Sequence, residues 1–177
     1  MPSGYTWANG VTTLRVTLIL PSVLAVLFGD WILAGVLFIV VAVSDVADGW
    51  LARTLDQATP LGGLFDHATD AAYVGATTWA LSANGVVTPW LAPLIAFAFV
   101  QYALDSKALR GQTLRASAIG RLNGLAYFIL VGIVIASQAL ALTAMEVPIQ
   151  IIAWLLVASS IVSILDRAYA LMITSRA

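Results

Sequence analysis

At 177 residues, 61% hydrophobic and only 10% charged, with a mean hydropathy of +0.97, the chain is far too apolar for a soluble domain, in which roughly a quarter of residues carry charge. Its net charge of -1 supplies no basic field for nucleic acid, and with no cysteine it has neither a disulfide frame nor a cysteine-based metal site. These limits leave an all-α integral membrane protein, read as a single domain over residues 1–177.

Roughly 20 mostly apolar residues cross a bilayer as a helix. The opening MPSGYTWANGVTTLR has no charged start, short apolar core or small-residue cleavage site, so the first span is expected to stay in the mature protein. That span runs from about Val11 to Phe28, with a kink expected at Pro21. The next is expected at Trp31–Arg53, then Gly63–Ser82, Thr88–Leu109, Ala118–Leu140 and Val147–Ile173. Gly, Pro, Asn and Ser punctuate the links between them. Trp31, Trp90 and Trp154 fall where an aromatic belt would lie.

Six spans put all eight basic residues on one side: Arg15, Arg53, Lys107, Arg110, Arg115, Arg121, Arg167 and Arg176. The opposite links carry only Asp30 and Glu146. By the positive-inside rule both termini are expected in the cytoplasm. The link between the second and third spans then faces the cytoplasm too.

That link is flanked by acids. SDVADGWLARTLDQATPLGGLFDHATDAAY, from Ser44 to Tyr73, holds five aspartates. On a helix at about 100° per residue, Asp48, Gly49 and Ala52 lie about 60°, 40° and 20° from Asp45. They form one stripe of two carboxylates and two small residues. Asp66 and Asp70 stand one turn apart on the next span. If the two helices pack as antiparallel neighbours, four carboxylates meet. Such a group in a low-dielectric setting needs protonation or a divalent metal, and hard oxygen donors select Mg²⁺, Mn²⁺ or Ca²⁺. Gly49 and Ala52 leave room for a ligand, Arg53 suits a diphosphate, and Gly62 permits close approach before the third span. Asp56 reads as a solvated loop acid.

The same stretch resembles the signature of the CDP-alcohol phosphotransferase family. It reads Asp45-x2-Asp48-Gly49-x2-Ala52-Arg53-x8-Gly62-x3-Asp66-x3-Asp70, with every fixed position and spacing kept. Asn9 to Arg15 is similar to the PNxxTxxR that opens bacterial members, with Ala8 in place of the proline. The resemblance implies attack by an acceptor hydroxyl on the β-phosphate of a CDP-linked alcohol, with release of CMP. It implies two divalent cations, Mg²⁺ or Mn²⁺, on Asp45, Asp48, Asp66 and Asp70, with Asp70 also the base. Asp48, Gly49, Ala52, Arg53 and Gly62 would form the nucleotide pocket. It also implies a homodimer and a bacterial inner (cytoplasmic) membrane with the site facing the cytoplasm.

The alcohols are less defined. Leu64-Phe65-Asp66-His67 resembles the LFDH of choline and ethanolamine phosphotransferases, which act on diacylglycerol and in which a histidine has been given the role of base. His67 is therefore a second catalytic candidate. Arg115-Ala-Ser-Ala-Ile-Gly-Arg121 is similar to the ASxxGK segment of synthases that use CDP-diacylglycerol and a soluble, often phosphorylated acceptor. Arg115, Arg121 and Arg110 are the candidates for holding that acceptor, although Asn123-Gly124 replaces the usual Lys-Thr. CDP-diacylglycerol is the favoured donor. Two other readings stand beside the enzyme. An ion or proton transporter would spread its acids across the bilayer, and a catalytically inert relative would bind without turnover.

Overall fold

A computed structural model describes residues 7–54, 60–105 and 118–174, with side chains over 12–47, 54, 62–104 and 119–169. Among these residues the architecture is all-helical: α1 (Trp7–Leu27), α2 (Trp31–Thr54), α3 (Pro60–Ala83), α4 (Leu91–Asp105), α5 (Ala118–Ala139) and α6 (Glu146–Thr174). A 3-10 turn, Thr143–Met145, leads into α6. The helices fall on the six predicted spans to within a few residues. Helix α1 runs on through Pro21 to Leu27, and the predicted end of the fourth span at Leu109 lies outside the described residues. Among the described residues, two segments, Ile119–Ala139 and Thr143–Tyr169, are by length and apolarity alone sufficient to cross a membrane. The apolar runs Thr12–Leu27, Trp31–Ala47 and Leu91–Leu104 are shorter.

Around an apolar core that includes Val26, Val41, Leu81, Val134 and Ile149, polar residues are also buried and large apolar ones lie open on the outside. Arg15, Ser22, Thr77, Thr78, Asn123 and Ser160 are buried. Leu20, Phe28, Ile39, Leu104 and Leu155 each keep more than 60% of their surface open. An apolar exterior this continuous is unfavourable in water and costs nothing in lipid. Helix α1 shows the rule within one element: Thr12, Arg15 and Ser22 share its buried face, while Leu14, Val16 and Leu20 point outward. The residues lie three and seven apart, which places the polar trio on a single stripe.

The helices close into a ring in the order α1, α2, α5, α6, α4, α3, with α3 and α5 touching across it. Consecutive helices are therefore not always neighbours. Helix α1 packs against both α2 and α3, so it separates the two elements that carry the acids.

One end of the ring is tied by tight turns. Gly29 has φ +72 and closes α1, with Gly29 N donating to Val26 O at 3.0 Å and Asp30 N to Ala25 O at 2.9 Å. Only glycine takes this left-handed position at no steric cost. Asp30 then caps α2, its Oδ1 accepting from Leu33 N at 3.1 Å. The same closure recurs after α3, where Asn84 Nδ2 also donates to Val26 O at 2.6 Å and ties two turns together. After α5 the left-handed residue is Ala141, at φ 52, with Leu142 N donating to Ser137 O at 2.8 Å. Alanine pays a steric cost there that glycine does not. Ala141→Gly is expected to stabilise the protein by about 1 kcal/mol, read as a raised melting temperature in detergent.

Candidate active site

The acids gather at the other end of the ring, around a residue of α1. Arg15 Nη1 donates to Asp45 Oδ1 at 2.8 Å and also to Asp70 Oδ1, and Nη2 donates to Asp66 Oδ1 at 2.7 Å. Asp45 comes from α2 and the other two from α3, so one guanidinium bonds three helices together. Arg15 is 0% exposed, whereas the side chains of Asp45, Asp66 and Asp70 keep 45%, 34% and 35% of their surface open. The cation sits on the inner side and the carboxylates face outward.

The sequence placed Arg15 among the charges that set orientation. Its structural role is different: it is buried in the acid group as an internal counter-charge. The available signal was its position as the last residue of the TxxR stretch, seven residues before buried Ser22 on the same helix face.

A cavity of about 460 Å³ opens beside the carboxylates. Asp45, Asp70 and His67 line it from α2 and α3; Arg121 from α5 and Arg167 from α6 line it too. Exposed His67 meets Tyr102 edge-on, with ring centroids 5.8 Å apart. The Arg167 guanidinium lies over the same tyrosine, 5.3 Å from its centroid, a favourable cation–π position. Asn123, Tyr127 and Ser163 complete the wall, all buried. Ser159 Oγ donates to Asn123 Oδ1 at 2.7 Å, and the Tyr127 hydroxyl and Ser160 Oγ share a hydrogen bond of 2.6 Å. These bonds join α5 to α6 and fix the polar lining. A larger space of about 870 Å³ lies at the opposite end, between Asn84, Gln138 and Trp154, with Glu146 as its acid. It contains none of the predicted site residues.

The structure therefore brings Asp45, Asp66, Asp70, His67 and Arg121 to one end of the ring. Gly62 lies half-buried in the first turn of α3. Asp48, Gly49, Ala52 and Arg53 continue α2, but their side chains lie outside the described residues, as do Asp56, Lys107, Arg110 and Arg115 altogether. Sequence reasoning did not select Arg167, Tyr102, Asn123 or Tyr127 for the site. They come from distant parts of the chain and meet only through helix packing.

The donor set suits a divalent cation. Asp66, His67 and Asp70 can each offer a ligand atom, all within 4.8 Å of one another. Hard carboxylate oxygens are the ligands that Mg²⁺ and Mn²⁺ take, and the carboxylates of Asp45, Asp66 and Asp70 already converge on one positive group.

The sequence profile of the CDP-alcohol phosphatidyltransferase family matches residues 5–165. The chain belongs to this family. Its members are membrane-integral transferases of phospholipid biosynthesis that move a substituted phosphate from a CDP-alcohol to an acceptor alcohol, and they generally use divalent metal. No curated protein matches the chain in sequence.

The bonds that join α5 and α6 at the cavity wall give a direct check. Asn123→Ala and Ser159→Ala are each expected to cost about 1 kcal/mol of stability. The double substitution should cost clearly less than the two single costs summed, because both remove the same bond. Thermal unfolding in detergent reads this coupling.

Proposed function

We propose that this family member is a metal-dependent transferase of phospholipid synthesis with CDP-diacylglycerol as donor and a soluble anionic alcohol as acceptor. It acts as a single domain of six spans with both termini and the active site on the cytoplasmic side of a bacterial inner membrane, in a homodimer. The observation that carries the reading is the convergence of Asp45, Asp66 and Asp70, from two helices, beside a cavity that Asp45 and Asp70 line together with Arg121 and Arg167. Clustering of these acids at one end of the ring favours transfer chemistry over an ion pathway through the bilayer.

Asp45, Asp48, Asp66 and Asp70 are the residues to hold two cations, Mg²⁺ or Mn²⁺. When bound, such cations neutralise charge on the diphosphate and on the departing CMP. The chain's own residues do the rest. The stripe Asp48, Gly49, Ala52 and Arg53, with Gly62, seats the nucleotide. Asp70, on the cavity wall, accepts the proton of the acceptor hydroxyl as its oxygen bonds to the β-phosphorus. The bond from that phosphorus to the oxygen bridging the two phosphates breaks, and CMP leaves with the electron pair. Arg121 and Arg167 hold the acceptor's anionic group, with Arg110 and Arg115 proposed to assist from the link before α5.

A second reading has its own support. His67 lines the cavity beside Asp70, as a base would in choline- or ethanolamine-type transfer to diacylglycerol. The substrate screen separates the two.

CMP release by detergent-purified protein is the test. With Mn²⁺ or Mg²⁺, CDP-diacylglycerol and an anionic acceptor, glycerol 3-phosphate or inositol phosphate, should be productive, and turnover with inositol or serine alone would count against the anionic acceptor. CDP-choline or CDP-ethanolamine with diacylglycerol should not be productive. Asp70→Asn should lower the rate by roughly a hundredfold or more. Turnover only with the diacylglycerol pair would favour the His67 reading, and absence of both turnover and metal binding would remove the enzyme assignment. Arg121→Ala and Arg167→Ala should raise KM for an anionic acceptor about tenfold or more with a smaller effect on kcat; equal loss with a neutral acceptor would count against their binding role.

A further inference from the structure

Arg15 is part of the site, yet the transfer chemistry above gives it no task. It donates to Asp45, Asp66 and Asp70 at once, and it is 0% exposed while all three carboxylates are open on their other side. A divalent cation brought to these carboxylates meets one of two situations. It displaces the guanidinium, or it binds with the guanidinium still in place.

Displacement is disfavoured by burial. Pulled off its carboxylates, the guanidinium would be a charge in a site with no access to water, which costs several kcal/mol. Retention needs no such movement. The guanidinium takes Oδ1 of each carboxylate from inside the ring, and the exposed faces of the same groups remain on the outside. A planar fork that engages three carboxylates also fixes their spacing, which a point charge does not. It ties α1, α2 and α3 to one another, so the ligands on two helices keep a common register.

We propose that Arg15 is a positioning residue that stays behind the metal-binding carboxylates, holding Asp45, Asp66 and Asp70 in register for the cations. The proposal rests on the reading of these aspartates as metal ligands. Outer partners of metal ligands commonly account for a ten- to hundredfold change in affinity when they are altered.

The decisive variant is Arg15→Lys, which keeps the charge and removes the fork. Mn²⁺ alone is the probe, titrated against purified protein with free Mn²⁺ followed by electron paramagnetic resonance. The Kd of Arg15→Lys is expected to rise roughly tenfold or more, with CMP release partly recovered at high Mn²⁺. A Kd equal to or below that of the unaltered protein would overturn the proposal. A second measurement needs no variant. In ¹⁵N-arginine-labelled protein, the slowly exchanging signal of the buried guanidinium should persist when Mg²⁺ saturates the site. Its loss would mean displacement and would equally overturn the proposal. The unaltered protein binding no Mn²⁺ would overturn both the proposal and the metal-dependent reading. Binding that Arg15→Lys leaves unchanged would overturn the role of Arg15 alone.

Discussion

Three carboxylates on two helices repel one another, and in a lipid-facing bundle they cannot all be relieved by water. The contact between the Arg15 guanidinium and Asp45, Asp66 and Asp70 answers that constraint, and much of the arrangement follows from it. It requires α1 to lie between α2 and α3, with its polar stripe of Thr12, Arg15 and Ser22 turned inward.

The two ends of the bundle are built on different principles. At one end the backbone does the work, through left-handed closures at Gly29 and Ala141 and side-chain ties from Asp30, Asn84 and Gln150, whose Nε2 donates to Val86 O at 2.9 Å. At the other end the work is done by charge. There the cavity, the carboxylates, Arg15, Arg121 and Arg167 meet.

The cavity juxtaposes two kinds of recognition. Asp45 and Asp70 form a wall suited to cations, and Arg121 and Arg167 form one suited to anions. Tyr102 links the second wall to His67 by touching both Arg167 and the imidazole. Transfer to an anionic acceptor, as proposed above, would use both walls, since the diphosphate and the acceptor would otherwise repel each other.

Much of this was legible in the chain by itself. Composition decided a membrane protein, hydrophobic runs separated by Gly, Pro and Asn decided six helices, and the spacing from Asp45 to Asp70 marked the acids and their family. Those are local properties: a run length, a turn residue and a one-turn repeat need no partner to be read. The tertiary structure decided what depends on which helices meet. It put α1 between α2 and α3, turned Arg15 from a flanking charge into a buried counter-ion, and brought Tyr102, Asn123 and Arg167 to the cavity from three different helices. Sequence spacing carries no information about such contacts, because they depend on which helices pack together through both the apolar core and the polar stripes.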